Sequence, residues 1–180
     1  MRELYQVWPS SLSNEDIERI TEIARGQPAE DATVFSAADT MQDIRSGSVR
    51  WLDDEWIRSL LWPYVEQANQ RRFHLAVDGR AEMQFSEYKA KQGDHYGWHH
   101  DVQWNGQSGL DRKISITVQL SDSGEYEGGD FEFDEVKTNA DFRSKGTVLA
   151  FPSYLRHRIH PVSSGTRCAL VAWFFGPCWS

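Results

Sequence analysis

Ile114-Ser115-Ile116-Thr117-Val118-Gln119-Leu120 alternates without a break between apolar and polar side chains. Successive side chains of an extended chain point to opposite faces, so Ile114, Ile116, Val118 and Leu120 share one face, and Ser115, Thr117 and Gln119 share the other. The same period of two runs through Gln84-Phe85-Ser86-Glu87-Tyr88, where Gln84, Ser86 and Tyr88 fall together. From Phe73 onward this pattern predicts strands near 72–77, 82–90, 95–101, 112–121, 129–134, 146–151, 156–160 and 166–175. They are punctuated by turn signals at Asp78-Gly79, Gly106-Gln107-Ser108-Gly109 and Gly128-Gly129. A polar strand face normally meets solvent. If the sheet curls around a metal, those faces line a wet pocket instead.

Upstream of Phe73 the period is helical. Ser13 reads as an N-cap with an acidic residue three positions later, followed by the stripe Ile17, Ile20, Ile23 and Ala24, and Gly26 and Pro28 end the helix. Gly47 to Leu52 can form a short strand before an Asp53-Asp54 cap. A second helix then carries Trp56, Ile57, Leu60, Leu61, Tyr64 and Val65 at helical spacing, with Pro63 expected to kink or restart it. Two helices followed by about eight short strands describe an α+β, mainly β protein: a sandwich or small barrel with the helices packed on one sheet. With neither an internal repeat nor a linker, one domain over 1–180 is expected, with 1–71 as helical support and 72–180 as the β core.

Composition limits the function. The 180 residues are 39% hydrophobic and 26% charged, and the net charge of −8 argues against a general affinity for nucleic acid or anionic membranes. No run approaches the roughly 18 apolar residues of a membrane span, and Met1 to Tyr5 lacks the apolar stretch of a signal peptide. A cytoplasmic location is expected. Cys168 and Cys178 are too few for a disulfide framework and read as reduced thiols.

The chemistry centres on Tyr96-Gly97-Trp98-His99-His100-Asp101. In a strand, His99 and Asp101 project together and His100 projects away. An imidazole and a carboxylate on one face are two thirds of the facial triad that holds non-haem Fe(II) and leaves positions open for reactants. The third candidate is His157. It starts a short strand and is followed by an expected turn at Ser163-Ser164-Gly165, and Arg167 comes ten residues after it on the next strand. That layout puts His157 and Arg167 into one cavity.

Tyr88, Gly93, Tyr96, His99 and Asp101, taken with His157, Pro161, Val162, Gly165 and Arg167, resemble the prolyl-4-hydroxylase-like branch of the Fe(II)/2-oxoglutarate-dependent dioxygenases. Gly128 to Phe133, Gly146 to Pro152, Ile44-Arg45-Ser46 and Trp51-Leu52 are further matches. The resemblance implies a double-stranded β-helix of the jelly-roll or cupin type. It implies Fe(II) held by His99, Asp101 and His157, with 2-oxoglutarate and O₂ as co-substrates and ascorbate as a supporting reductant. Arg167 suits the distal carboxylate of 2-oxoglutarate because a guanidinium binds a carboxylate bidentately, and Tyr88 and Thr117 offer hydroxyl donors to it. The implied reaction hydroxylates an unactivated C–H, in a prolyl or other residue of a peptide or in a free amino acid, and releases succinate and CO₂. Halogenating relatives lack the carboxylate, so Asp101 favours hydroxylation. Two alternatives are a non-catalytic metal-binding β-helix module and an oxygenase acting on a nucleobase or small metabolite.

Other residues carry weaker expectations. Tyr96 belongs to the motif, Trp173 shares a strand face with Arg167 and should point toward the metal, and Trp98 is expected as a pocket wall. The matching family region packs over the active-site mouth, which makes Arg45 and Arg50 candidates for substrate capture. His95 reads as a loop residue, His160 as no ligand because Pro161 opposes a helix there, Arg158 as a solvated cation, and Cys168 as core filler.

Overall fold

The computed structural model describes residues 4–32, 45–104, 109–138 and 140–179. Ile44 and the turn at 106–108 lie outside the described residues.

Helix α1 (Asn14–Arg25) begins at a capping box in which the Asp16 N–H donates to Ser13 Oγ and the Asp16 carboxylate accepts from the Ser13 N–H. Helix α2 (Glu55–Ala68) is capped by Asp54, whose Oδ1 accepts the Ile57 N–H at 2.9 Å. It runs on through Pro63 as one helix, so the proline does not restart it.

The strands are β1 (Gln6–Trp8), β2 (Glu30–Asp31), β3 (Arg45–Ser46), β4 (Ser48–Leu52), β5 (Ala81–Lys89), β6 (His95–His99), β7 (Leu110–Gln119), β8 (Tyr126–Gly128), β9 (Phe131–Phe133), β10 (Val148–Pro152), β11 (His157–Ile159) and β12 (Val162–Pro177). An eight-stranded sheet runs β1-β10-β7-β12-β5-β4-β2, with β8 also paired to β12, and a four-stranded sheet runs β3-β6-β11-β9. The pairings are antiparallel. β4 is the short strand expected between Gly47 and Leu52, and β1, β2 and β3 are further strands before residue 72. The mainly β, α+β architecture with helices on one sheet is as the sequence indicates.

The alternation in β7 explains the layering. Ile114, Ile116 and Val118 are wholly buried against Ile20, Ile57, Leu61 and Val65, so the helices seal the apolar face of the large sheet. The polar face, with Gln84, Thr117 and Arg167, turns toward the small sheet, and the cavity lies there. No helix among the described residues is long and apolar enough to cross a membrane.

Three local expectations are corrected. Residues 72–77 form no strand: a π-helical turn occupies Asn69–Phe73, and the chain then runs irregularly to Ala81. Ser163-Ser164-Gly165 is not a turn but the bent start of β12, where Ser164 and Gly165 pair with Glu127 and Tyr126 of β8. His95 is the first residue of β6 rather than part of a loop.

Candidate active site

β6 and β11 place the two histidines. His99 and His157 are register partners across the pair, and their ring centroids stand 4.2 Å apart. His99 Nδ1 lies 2.7 Å from the Gly97 carbonyl oxygen and His157 Nδ1 2.9 Å from that of Leu155. A carbonyl can only accept, so each Nδ1 carries the proton and each Nε2 presents a lone pair to the space between the rings.

Strand β6 ends at His99, and Asp101 is brought in by a bend pinned where its N–H donates to the Ser153 carbonyl at 3.0 Å. Asp101 Oδ1 is 3.5 Å from His99 Nε2, and Oδ2 is 3.6 Å from His157 Nε2. The three candidate ligand atoms all lie within 4.8 Å of one another. Neighbouring ligands on a metal with bonds of ~2.1 Å sit about 3 Å apart, so a small inward adjustment completes the set. The donor chemistry fits as well. Burial lowers the His157 imidazole to about 4, so it is neutral at neutral pH. Burial alone would raise the Asp101 carboxyl, but His157, His99 and the Ser115 hydroxyl outweigh it and hold the group well below the usual carboxylate range. An ionised carboxylate and a neutral imidazole are the protonation states a metal requires.

Beyond the triad, the cavity is lined by Arg45, Gln84, Tyr88, Tyr96, Thr117, Phe131, Phe151, Ile159, Arg167 and Trp173. Arg167 is buried on β12 opposite Tyr88 of β5, with its guanidinium 5.9 Å from that ring's centroid. Gly129 makes room for it, since a Cβ there would lie 2.9 Å from Arg167 Cδ. Tyr96 stacks face to face on His99 at 3.4 Å, and burial pushes its hydroxyl up to about 12. Trp173 is held beneath the Arg112 guanidinium at 3.8 Å.

These observations identify the family. Residues 83–175 match the family model described as the 2OG-Fe(II) oxygenase superfamily. The chain belongs to that superfamily. Among curated relatives of this 2OG-Fe(II) oxygenase, the PKHD-type hydroxylase of Synechococcus sp. strain CC9902 is 34% identical over 104 residues, covering 57% of this chain and 42% of that protein. The PKHD-type hydroxylase of Hyphomonas neptunium is 38% identical over 85 residues, covering 46% and 38%. The matched stretch is thus about two fifths of those proteins' length.

Solved structures share the double-stranded β-helix. The viral collagen prolyl hydroxylase of Paramecium Bursaria Chlorella virus-1, in complex with 2OG, superposes with a TM-score of 0.70 at 18% identity over 97% of both chains. A prolyl hydroxylase of Trichoplax adhaerens, in complex with a hypoxia inducible factor peptide fragment, gives 0.73 at 16% identity over 96% of this chain and 83% of the other.

Of the residues singled out from the sequence of this oxygenase, His99, Asp101, His157, Arg167, Tyr88, Thr117, Tyr96, Trp173 and Arg45 meet in the cavity. Trp98 and Arg50 do not line it. Trp98 packs beneath Arg158 at 4.4 Å and Arg156 at 5.4 Å, because it points to the face of β6 opposite His99. Arg50 donates to the Gln27 carbonyl. His100 bonds through Nδ1 to the Tyr154 carbonyl, and His160 pairs with Glu132, as does Arg158. Two contributors went unassigned. Ser115 holds Asp101, and Gln84 holds Arg45; both sit on the polar strand faces whose alternation was the available signal.

Proposed function

We propose that this chain forms a single dioxygenase domain whose activity is 2-oxoglutarate-dependent hydroxylation of an unactivated C–H, in a prolyl or other amino-acid residue of a peptide or in a free amino acid. His99, Asp101 and His157 would hold Fe(II). Bound there, iron supplies the redox chemistry by which O₂ and 2-oxoglutarate become succinate and CO₂ while one oxygen atom enters the substrate C–H. Arg167 would receive the distal carboxylate of 2-oxoglutarate, where a buried guanidinium pairs more strongly than in water, and Tyr88 and Thr117 would add hydroxyl donors. Phe131, Phe151 and Ile159 provide an apolar wall that limits water. Tyr96 and Trp173 remain on the wall for a substrate. The two free thiols support a cytoplasmic location.

The observation that carries this reading is the convergence of three metal-competent side chains and the buried Arg167 on one cavity. The test is aerobic turnover of 2-oxoglutarate with Fe(II) and ascorbate, followed as succinate, with mass spectrometry for a 16 Da gain on proline-containing peptides and free amino acids. Succinate formation that disappears in His99→Ala and Asp101→Ala supports the reading. No turnover, with or without such substrates, overturns it.

A further inference from the structure

Assigning the cavity to metal and 2-oxoglutarate leaves Arg45 without a task. Only 8% of this residue is exposed, and it lines the same cavity as the triad. Its Nη2 donates to Gln84 Oε1 at 2.6 Å, its guanidinium lies 4.4 Å over the Tyr96 ring, and its buried Nε has no hydrogen-bond partner. Ser86 Oγ donates to the same Gln84 oxygen at 3.2 Å, which fixes the amide with its acceptor toward Arg45. Arginines elsewhere in the fold are matched differently: Arg112 meets Glu82, Arg143 meets Asp130 and Arg158 meets Glu132. Among the described residues no carboxylate stands within ion-pair distance of Arg45.

A buried guanidinium with an unmet N–H marks a place that a ligand completes, because water's hydrogen bonds have been given up and nothing has replaced them. The charges in the cavity say which ligand. Arg45, Arg167 and a divalent metal are opposed by Asp101 and the two carboxylates of 2-oxoglutarate, which leaves one positive charge uncompensated. A monoanion beside Arg45 removes it. Phe131, Ile159 and Trp173 line the same cavity and supply apolar area, as an amino-acid side chain requires.

We propose that Arg45 is the specificity-determining residue that receives the free α-carboxylate of the substrate. The substrate is then a free amino acid or the C-terminal residue of a peptide, and not an internal residue. This rests on the hydroxylase reading of the same cavity. Gln84 acts as a positioning residue, holding the guanidinium over the Tyr96 ring.

Binding measured without turnover tests this. Protein loaded with Zn(II) and 2-oxoglutarate is titrated by calorimetry with L-proline and a panel of free amino acids, each against its primary amide. A parallel arm uses N-acetylglycyl-L-proline against its C-terminal amide, so free and C-terminal carboxylates are separated. At least one acid should bind about tenfold more tightly than its amide, and Arg45→Gln should abolish that preference while Arg45→Lys keeps part of it. Equal binding of acids and amides, no binding by any member, or a preference unchanged in Arg45→Gln overturns the proposal. The acid-to-amide ratio on the unmodified protein decides it even if a variant fails to fold. Zn(II) and 2-oxoglutarate binding are recorded first on the same samples. Their absence removes the hydroxylase reading and this inference together, whereas their presence without an acid preference removes this inference alone.

Discussion

Ser115 Oγ donates a 2.7 Å hydrogen bond to Asp101 Oδ2, and both groups are buried. The same hydroxyl stands 2.9 Å from Ser153 Oγ, and the Ser153 carbonyl accepts the Asp101 N–H. Strand β7 and the turn that follows β10 thereby fix both the backbone and the carboxylate of a residue that lies beyond the end of its own strand. Losing such a partner usually weakens a metal site by about tenfold or more. Ser115→Ala should therefore lower Mn(II) affinity by about that factor, measured by titration with the metal, while the fold survives. An unchanged dissociation constant would show that Ser153 and the backbone suffice.

The His99-His100 doublet gives a test of register. His99 faces His157 and Asp101, while His100 bonds to the Tyr154 carbonyl on the outside. His99→Ala should abolish metal binding and His100→Ala should leave it within about threefold. The opposite outcome would move every assignment on β6 by one residue.

Arg167 should govern co-substrate affinity. Its guanidinium is buried beside Tyr88, so removing it leaves a dianion's distal carboxylate facing an apolar pocket. Arg167→Met should weaken 2-oxoglutarate binding by about 2 kcal/mol, roughly thirtyfold, with metal affinity retained. Arg167→Lys should recover only part of this, because an ammonium lacks the two-pronged geometry. Full recovery by lysine would mean that charge alone holds the ligand.

Much of this was legible in the sequence because period-two patterning reports which face is buried. β5 and β7 are long, alternate and fall close to where expected, β12 is a largely apolar run that begins earlier than expected, and the same alternation groups Ser115, Thr117, Gln84 and Tyr88. The stretch 72–77 shows where that signal misleads. Phe73, Leu75 and Val77 alternate and do pack against the core, yet no ladder forms. Asn69 takes the place of a neighbouring strand, accepting the Leu75 N–H and donating to the Leu75 carbonyl, both at 2.8 Å. Patterning records side-chain burial and is blind to which group satisfies the backbone. Trp98 departs from its expected place for a related reason. It lies between two functional residues in the sequence, but alternation from His99 turns it outward. β1 escaped notice because three residues are too few to establish a period.

The bend at the start of β12 depends on Gly165. Its φ is +71°, and a Cβ there would meet the Glu125 carbonyl oxygen at 2.0 Å. Both the left-handed backbone and the contact oppose any side chain. Gly165→Ala should lower stability by more than about 1 kcal/mol in urea unfolding, because β8 and β12 can no longer close at this point. A smaller change would mean that the strand can shift its register here without cost.

The two cysteines should differ sharply in reactivity. Cys178 is exposed, whereas Cys168 is partly buried on β12, and burial together with the Glu87 carboxylate raises its thiol from 9.0 to about 11. At pH 8 a shift of this size leaves about a hundredfold less thiolate than in an ordinary cysteine, and the thiolate is the nucleophile. Iodoacetamide should therefore modify Cys178 first, with Cys168 following slowly and accelerating as the pH rises toward 11, read by mass spectrometry of the digested protein. The same shift has a definite sign for stability. The folded state holds the proton more tightly than the unfolded chain, so stability is intact below pH 9 and falls between 9 and about 11 as the unfolded thiol ionises first. Cys168→Ala should flatten that decline. Equal alkylation rates for the two thiols at pH 8 would show that Glu87 and burial do not restrain Cys168.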